Sequence, residues 1–243
     1  MIGNDFRIYD TEMKRIAIIP ASGKGLRMNN PIPKQYIKLD NGLTVIDTTI
    51  TQLLKTPFFD QVLVVLDPND HYWPQSIYSR NKKILVCSGG QTRSDSVRNG
   101  LLSLKNTLDD DDWVFVHDAV RPFIQLDDIR RLYASVVVEK SIGGILACPA
   151  IETIKQANTS QNVAKTLMRE HIYLAQTPQV FRYKTLLMGY YFCLHNNITV
   201  TDESSAVEAL DHQPIIIQGD RKNIKITSQE DILLANYFLS LDQ

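Results

Sequence analysis

Residues 15–36, RIAIIPASGKGLRMNNPIPKQY, decide the fold class and contain the first candidate site. The apolar run 16–19 is rich in β-branched residues, which is typical of a strand buried on both faces. Small residues at 20–25 allow a sharp turn, whose successive N–H groups can form an anion-binding concavity. Three cations follow within a short distance: Lys24, Arg27 and Lys34. A strand, a glycine loop and converging cations together predict a phosphate site.

The glycine pattern differs from the two common phosphate-binding fingerprints. The dinucleotide pattern G-x-G-x-x-G would need glycine where Met28 stands, and the pattern of the P-loop is absent. A simple glycine turn after a strand, with solvated charges, is the alternative interpretation. The complete pattern, G-x-G-x-R-M followed by Pro-Lys-Gln at 33–35, resembles instead the nucleotidyltransferases that couple a sugar or polyol phosphate to a nucleoside monophosphate.

The totals for the chain favour a globular enzyme and exclude several classes. A hydrophobic content of 44% and a charged content of 22% fit one globular domain over residues 1–243. The formal net charge of -1 creates no basic field, so we expect neither nucleic acid nor a membrane surface as a partner. No apolar run approaches the roughly eighteen residues of a membrane span, and we expect a cytoplasmic protein.

The N-terminus and the cysteines carry no sign of export. Residues 1–14 are polar and acidic rather than basic and then apolar, and we predict a flexible extension there instead of a signal sequence. Three cysteines, Cys87, Cys148 and Cys193, are widely spaced and odd in number. They are therefore interpreted as buried free thiols, not as a metal or redox cluster.

Strand and helix patterns alternate along the first 150 residues. The predicted strands are 16–19, 62–66, 84–87, 113–117 and 143–149, and the predicted helices are 45–55, 94–104 and 127–139. This alternation predicts an α/β fold with a doubly wound, mostly parallel sheet of Rossmann-like type. The carboxyl ends of parallel strands share one edge of the sheet, so the segments at 20–25, 88–90 and 117–118 should converge there.

Residues 151–181 interrupt this alternation. Two β-prone pieces, 152–156 and 171–176, are separated by the polar run 157–162, which predicts a hairpin-like arm outside the main sheet. We set this protruding arm at 151–178; a long surface loop is the alternative, and such loops are uncommon in compact domains. Beyond it we predict a helix at 183–195, strands at 215–218 and 224–226, and a final helix through residue 239. That helix would open with the capping box Thr227-x-x-Glu230.

Four further motifs are candidates for chemistry, each with a simpler alternative. Residues 88–96, SGGQTRSDS, could bring backbone groups to a base edge, or they could only cap a helix. Asp118 in HDAVRP follows a strand and could hold Mg²⁺, or it could be a turn residue. The run 201–208 could be an ordinary helix start. Lys225 could bind phosphate or be a solvated lysine, and His117 is interpreted as a structural histidine.

Five ordered motifs together resemble one family. They are GxGxRM with PKQ, HDAxRP, QTPQxF, TDExSAVE and NIKIT. In this order and spacing they resemble the 2-C-methyl-D-erythritol 4-phosphate cytidylyltransferases of the non-mevalonate isoprenoid pathway. The resemblance covers about residues 15–239. The departures are Val120, where the motif often has alanine, and the additional residues at the N-terminus. The ribitol-5-phosphate cytidylyltransferases share three of these motifs, but 93–97 and 201–208 resemble the methylerythritol branch better.

The resemblance implies a role for each matching position. The residues implied to bind CTP are Pro20, Ala21, Ser22, Gly23, Gly25, Gly90, Gln91, Arg93, Ser96, Asp118 and Ala119, with Asp118 also a ligand of Mg²⁺. The catalytic cations implied are Arg27, Lys34 and Lys225. The residues implied to bind the polyol phosphate are Arg121, Thr153, Arg169, Thr177 and Thr201. The family's dimer would bring Arg169, on the arm, to the site of a neighbouring subunit.

The implied reaction joins CTP and 2-C-methyl-D-erythritol 4-phosphate by in-line attack of the acceptor phosphate on the α-phosphorus, with release of pyrophosphate. Two alternatives stay open: ribitol 5-phosphate as the acceptor, and a nucleotide-binding protein of the same fold without activity. A dinucleotide oxidoreductase is disfavoured by Met28.

Overall fold

The computed structural model describes residues 13–23 and 32–241. Within them the strands are β1 (Arg15–Pro20), β2 (Gln61–Leu66), β3 (Ile84–Ser88), β4 (Trp113–Val116), β5 (Gly143–Pro149), β6 (Ile154–Ala157), β7 (Val163–Leu167), β8 (Tyr173–Arg182) and β9 (Ile215–Gln218). The helices are α1 (Val45–Leu54), α2 (Arg93–Ser103), α3 (Leu126–Val138), α4 (Tyr183–His195), α5 (Glu203–Glu208) and α6 (Gln229–Leu241).

A seven-stranded sheet forms the centre of the molecule, in the order β3-β2-β1-β4-β8-β5-β9. The pairs β1–β2, β2–β3, β1–β4 and β5–β9 are parallel, and β8 runs antiparallel to both of its neighbours. The predicted doubly wound, mostly parallel sheet is therefore confirmed. The strand order reverses between β1 and β4, and a reversal of this kind leaves a crevice at the carboxyl ends of the strands.

Both faces of the sheet are covered, which explains the continuous apolar runs of its strands. Ile16 and Ile18 of β1 belong to a core on the side of α2 and α4, whereas Ala17 and Ile19 belong to a core on the side of α1 and α3. Helix α2 approaches closely because residue 100 is glycine: a Cβ there would lie 3.0 Å from a methyl group of Val65.

The predicted arm is partly wrong. Strands β6 and β7 do form a separate two-stranded antiparallel sheet, but β7 at 163–167 is the partner, not the β-prone piece at 171–176. That piece belongs to β8, which lies between β4 and β5 in the main sheet, so residues 173–178 are not part of an arm. The β6–β7 hairpin is the part of the prediction that remains. Its role in a dimer stays a prediction.

Two predictions near the C-terminus also need correction. Residues 224–226 belong to no strand in the described part of the chain, although the Ile226 N–H donates to Val120 O over 2.9 Å. The residues that cap α6 are Ser228 and Asp231, one position after the predicted Thr227 and Glu230. The Ser228 N–H donates to Asp231 over 2.9 Å, and Asp231 also accepts from Thr227.

Other sequence predictions concern the termini and the thiols. Residues 1–12 of the predicted extension lie outside the described residues, whereas the Lys14 N–H donates to Asp112 Oδ1 over 2.8 Å. Cys148 and Cys193 are buried free thiols as predicted, and Cys87 is partly exposed. In the ranges 13–23 and 32–241, no helix has the length and apolar character to cross a membrane.

Candidate active site

Strands β1 to β4 end at one edge of the sheet, where the segments after them line a cavity of about 860 Å³. The lining segments are 20–23 after β1, 67–69 after β2, 89–93 after β3 and 118–120 after β4. Lys34, Gln35, Lys225 and Thr227 complete the described lining. The convergence predicted from strand ends is therefore present, at the reversal between β1 and β4.

The described start of the glycine loop is fixed by a glutamine. Gln35 is buried, and its Nε2 donates to Ala21 O over 2.8 Å and to Gly23 O over 3.1 Å. The Ala21 N–H also donates to Val65 O over 2.8 Å. These bonds fix the backbone of 21–23 where it lines the cavity.

Ser96 joins the two glycine segments. Its Oγ lies 2.6 Å from Ser22 Oγ, accepts from the Gly90 N–H over 3.0 Å and donates to Thr92 O over 2.8 Å. Glycine is required at position 90, because a Cβ there would lie 2.3 Å from Asp95 Cβ. Thr92 and Asp95 form the capping box that opens α2. The segment after β3 is thus both a capped helix start and a wall of the cavity.

Asp118 lies at the centre of a cluster of cations. Arg93 Nε is 3.0 Å from Oδ1, while Lys225 Nζ is 2.8 Å and Arg121 Nε 3.5 Å from Oδ2. Burial alone would raise the pKa of Asp118, but the charges of Arg93, Lys225 and Arg121 hold that pKa well below its usual value. The carboxylate is therefore ionised, and one anion is shared among three cations.

Arg93 is held on its other flank by a buried carboxylate. Its Nη1 and Nη2 donate to the two carboxylate oxygens of Glu203 over 2.8 and 3.1 Å. Burial alone would lower the pKa of Arg93, but Glu203 and Asp118 together raise it. Tyr190 completes the contact by donating from its hydroxyl to Glu203 Oε1 over 3.0 Å.

A buried chain of hydrogen bonds joins the backbone of Asp118 to Thr177 and His117. Its N–H donates to Thr177 Oγ1 over 3.0 Å, and that hydroxyl lies 3.1 Å from His117 Nδ1. His117 Nε2 lies 3.0 Å from Arg121 O, a carbonyl that only accepts, so the proton belongs on Nε2 and Thr177 donates to Nδ1. Burial lowers the pKa of His117 to about 4, so the ring is neutral at pH 7. His117 is thus the structural histidine that was predicted.

Comparison with known proteins agrees with this geometry. The family model for IspD, 2-C-methyl-D-erythritol 4-phosphate cytidylyltransferase, matches residues 15–241. The chain belongs to the 2-C-methyl-D-erythritol 4-phosphate cytidylyltransferase family. Similar relatives of that name come from Ruthia magnifica, 39% identical over 233 residues (93% of this chain and 97% of the relative), and from Aliivibrio fischeri strain ES114, 42% identical over 229 residues (94% and 95%). The crystal structure of the Francisella tularensis 2-C-methyl-D-erythritol 4-phosphate cytidylyltransferase has a TM-score of 0.81 at 43% identity, covering 92% of this chain and 99% of that one.

Most of the residues predicted for this family's site are brought together at the cavity. The lining includes Pro20, Ala21, Ser22, Gly23, Lys34, Gly90, Gln91, Arg93, Asp118, Ala119 and Lys225. Ser96, Arg121 and Thr177 are buried directly behind that lining, in the contacts described above. Gly25 and Arg27 lie outside the described residues, so their predicted roles stay predictions.

Three predicted residues lie elsewhere in the chain. Thr153 and Arg169 flank the β6–β7 hairpin and are exposed; an Nη of Arg169 donates to Ile151 O. Thr201 is exposed just before α5, where its N–H donates to Ser205 Oγ over 3.0 Å. None of the three lines the cavity of its own chain. Their roles in binding an acceptor remain predictions.

Three residues of structural importance to the site were not assigned a role from the sequence. Gln35 orients the glycine loop, and Glu203 pairs with Arg93. Asn223 Nδ2 donates to Thr177 O over 2.8 Å, and its own carbonyl accepts from Arg121 over 2.6 Å, which fixes the segment that carries Lys225. All three stand inside the motifs that carry the resemblance, but their partners are distant in sequence.

Proposed function

We propose that this chain transfers the cytidylyl group of CTP to 2-C-methyl-D-erythritol 4-phosphate and releases pyrophosphate. Membership of the family supports the reaction. The observation that carries it is that three cations, Lys34, Arg93 and Lys225, line the same cavity as the glycine segments. A phosphate-rich substrate pair fits this combination of backbone N–H groups and cations.

In the proposed reaction, an oxygen of the acceptor phosphate attacks the α-phosphorus of CTP in line. The bond from that phosphorus to the bridging oxygen breaks, and pyrophosphate leaves with its electron pair. A phosphate monoester is largely ionised at neutral pH, since its second pKa is about 6, so no general base has to remove a proton. The neutral, fully bonded His117 is consistent with this requirement.

The cations stabilise the negative charge that the reaction brings together. Two anions must approach one another, and negative charge develops on the leaving pyrophosphate, so catalysis rests on positioning and on electrostatic stabilisation. In the proposal Lys34 and Lys225, with Arg27 from outside the described residues, stabilise the transition state. Gly90, Gln91 and Arg93 bind the nucleotide.

We extend the proposal to Mg²⁺, with Asp118 as its protein ligand. Mg²⁺ commonly binds one or two carboxylates together with substrate phosphates and water. Asp118 fits that pattern: it lines the cavity, and the side chain of Lys225, paired with its Oδ2, is 40% exposed and accessible to an incoming phosphate. When bound, the ion would neutralise charge on the phosphates of CTP.

A homodimer in the cytoplasm belongs to the same proposal. The β6–β7 hairpin extends from the main sheet as a sheet of its own, with Val163 and Met168 exposed, which supports contact with a second copy. Such a contact would bring Arg169 to a partner's cavity. The free thiols of Cys87, Cys148 and Cys193 fit a reducing compartment.

The test is pyrophosphate release from CTP and Mg²⁺ with each acceptor in turn. Release with 2-C-methyl-D-erythritol 4-phosphate, and not with ribitol 5-phosphate, supports the proposal. Release with ribitol 5-phosphate only would replace the acceptor. Binding of CTP without release in the presence of either acceptor would contradict a catalytic role.

A further inference from the structure

Glu203 is a carboxylate that is entirely buried and still belongs to the charge network of the cavity. It is the first residue of α5, has 0% exposure and does not line the cavity itself. Its two oxygens accept from Arg93, and Oε1 also accepts from Tyr190. A buried carboxylate is costly unless it is paired and hydrogen-bonded, and here both conditions are met.

The geometry of the pair fixes the orientation of Arg93. Two parallel N–H···O bonds to Glu203 determine the plane of the rigid guanidinium, and Nε is then directed to Asp118 Oδ1 at 3.0 Å. The side chain of Arg93 keeps 30% exposure, and it lines the cavity. A single carboxylate at Asp118 would leave the guanidinium free to rotate about the Nε contact, whereas two carboxylates hold it in one position.

Glu203 is itself fixed by contacts from two other elements. Gln179 of β8 accepts from the Ser204 N–H over 2.8 Å and donates to Asp202 Oδ2 over 2.8 Å, which ties the first turn of α5 to the sheet. On the other side α4 approaches so closely that a Cβ at Gly189 would lie 2.5 Å from Ala206 O. Burial, with Glu203 next to it, raises the pKa of Tyr190, so its hydroxyl stays protonated and donates.

We infer that Glu203, assisted by Tyr190, is a positioning residue for nucleotide binding, because it holds the guanidinium of Arg93 in the orientation that faces the cavity. This inference rests on the proposed function, since it assigns Arg93 to the CTP side of the reaction. A residue with only a structural role would change the amount or the stability of folded enzyme, but it would leave the KM for CTP unchanged.

The first experiment compares Glu203→Gln with a matched control. Glu208→Gln removes a carboxylate from the exposed end of the same helix, away from the cavity. We expect Glu203→Gln to lower kcat/KM for CTP by about 10²-fold, mostly through KM, because a misplaced binding group costs about that much. The KM for the acceptor and all constants of Glu208→Gln should stay near wild type. An unchanged KM for CTP, or a loss confined to kcat that follows the folded fraction, would overturn the inference.

A double-mutant cycle tests whether Glu203 acts through Arg93. In an Arg93→Ala background the guanidinium is absent. The double variant should therefore have the same KM for CTP as Arg93→Ala alone. If the KM for CTP of the double variant is raised by the product of the two single effects, Glu203 acts by another route and the inference is overturned.

Two further arms separate other outcomes. If Glu203→Gln does not fold, Tyr190→Phe takes its place, because it keeps the ion pair and removes only one hydrogen bond to Glu203. We expect a several-fold rise in the KM for CTP of Tyr190→Phe. An unchanged KM would overturn the inference. If the wild-type enzyme releases no pyrophosphate with either acceptor, the proposed function has failed. Calorimetric binding of CTP to wild type, Glu203→Gln and Glu208→Gln then tests the positioning role alone, with the same expected loss and the same contradicting result.

Discussion

Lys225 Nζ lies 2.8 Å from Asp118 Oδ2, on the side of that carboxylate opposite the contact with Arg93. The two residues are separated by most of the C-terminal half of the chain, and both line the cavity. Asp118 has a side chain only 8% exposed, whereas the side chain of Lys225 is 40% exposed. Lys225 is therefore the member of the pair that is more accessible to a ligand in the cavity.

Lys225→Ala should lower pyrophosphate release by roughly 10²–10³-fold, the range found when one group that stabilises developing charge is removed. The fold should persist, because Asp118 keeps Arg93 and Arg121 as partners. Steady-state turnover and thermal unfolding of the purified variant are the measurements. Lys222→Ala is the control, since Lys222 is exposed and does not line the cavity. Turnover near wild type in Lys225→Ala would remove Lys225 from the mechanism.

Lys34→Ala should abolish measurable turnover and leave the fold intact. Lys34 stands at the start of a short helical turn next to Gln35 and lines the cavity, and we assign it to the transition state. Circular dichroism and the midpoint of thermal unfolding should match those of wild type. Lys38→Ala, a change to an exposed lysine four residues later, should retain full turnover. A Lys34→Ala enzyme with normal kcat would contradict the assignment.

The parallel strands were predictable because the sheet is covered on both faces. A strand of this kind must be apolar at successive positions, and this rule predicts the strands at 16–19 and 62–66. Strand β8 was misplaced because its buried positions are mixed. Gln176, Thr177 and Gln179 are polar and buried, and they bond to groups on other elements. Polar residues in the interior remove the pattern that identifies a central strand.

The site was predictable where motifs follow strands, and unpredictable where partners are remote. The convergence of the glycine loop with Gly90 and Asp118 follows from strand ends alone. The pairing of Arg93 with Glu203 joins residues 110 positions apart, and no local spacing indicates it. The interpretation of 201–208 as a capped helix is correct, since Asp202 caps α5, but it gave no reason to pair Glu203 with an arginine.

His117 should make the free energy of unfolding depend on pH between about 6.5 and 4. The folded protein holds a neutral ring with a pKa of about 4, whereas the unfolded chain binds a proton near pH 6.5. Above both values no proton is bound in either state, and as pH falls the unfolded state gains one first. Stability is therefore lost on acidification, by roughly 3 kcal/mol over that interval from this group.

The check on His117 is urea unfolding at several pH values for wild type and His117→Gln. The variant should be less stable at pH 7, because it cannot repeat both bonds of the ring, and the gap should narrow toward pH 4. Asp118 does not disturb this comparison: its lowered pKa restricts its own contribution to pH values below about 4 in both proteins. A gap that stays constant with pH would mean that His117 titrates normally in the fold.

Arg169→Ala should raise the KM for 2-C-methyl-D-erythritol 4-phosphate far more than the KM for CTP. Arg169 is exposed beside the β6–β7 hairpin and does not line the cavity of its own chain, so its proposed contact with the acceptor would be made in the site of a second copy. Equal effects on both substrates would argue against contact with the acceptor.

Mixing Arg169→Ala with Lys34→Ala, assayed at an acceptor concentration far below the raised KM of Arg169→Ala, tests that geometry directly. In a dimer of one Arg169→Ala chain and one Lys34→Ala chain, one cavity has its own Lys34 and receives the partner's intact arginine, because a two-fold interface exchanges the same element in both directions. At that acceptor concentration, activity should therefore rise well above the sum of the two variants refolded alone when the unfolded variants are mixed and refolded together. Lys34→Ala mixed with Lys225→Ala is the control, because both substitutions affect groups that line the cavity of their own chain. Each cavity in that dimer carries one defect, and the mixture should stay inactive. Recovery in the control, or none in the test mixture, would mean that Arg169 does not act across a dimer.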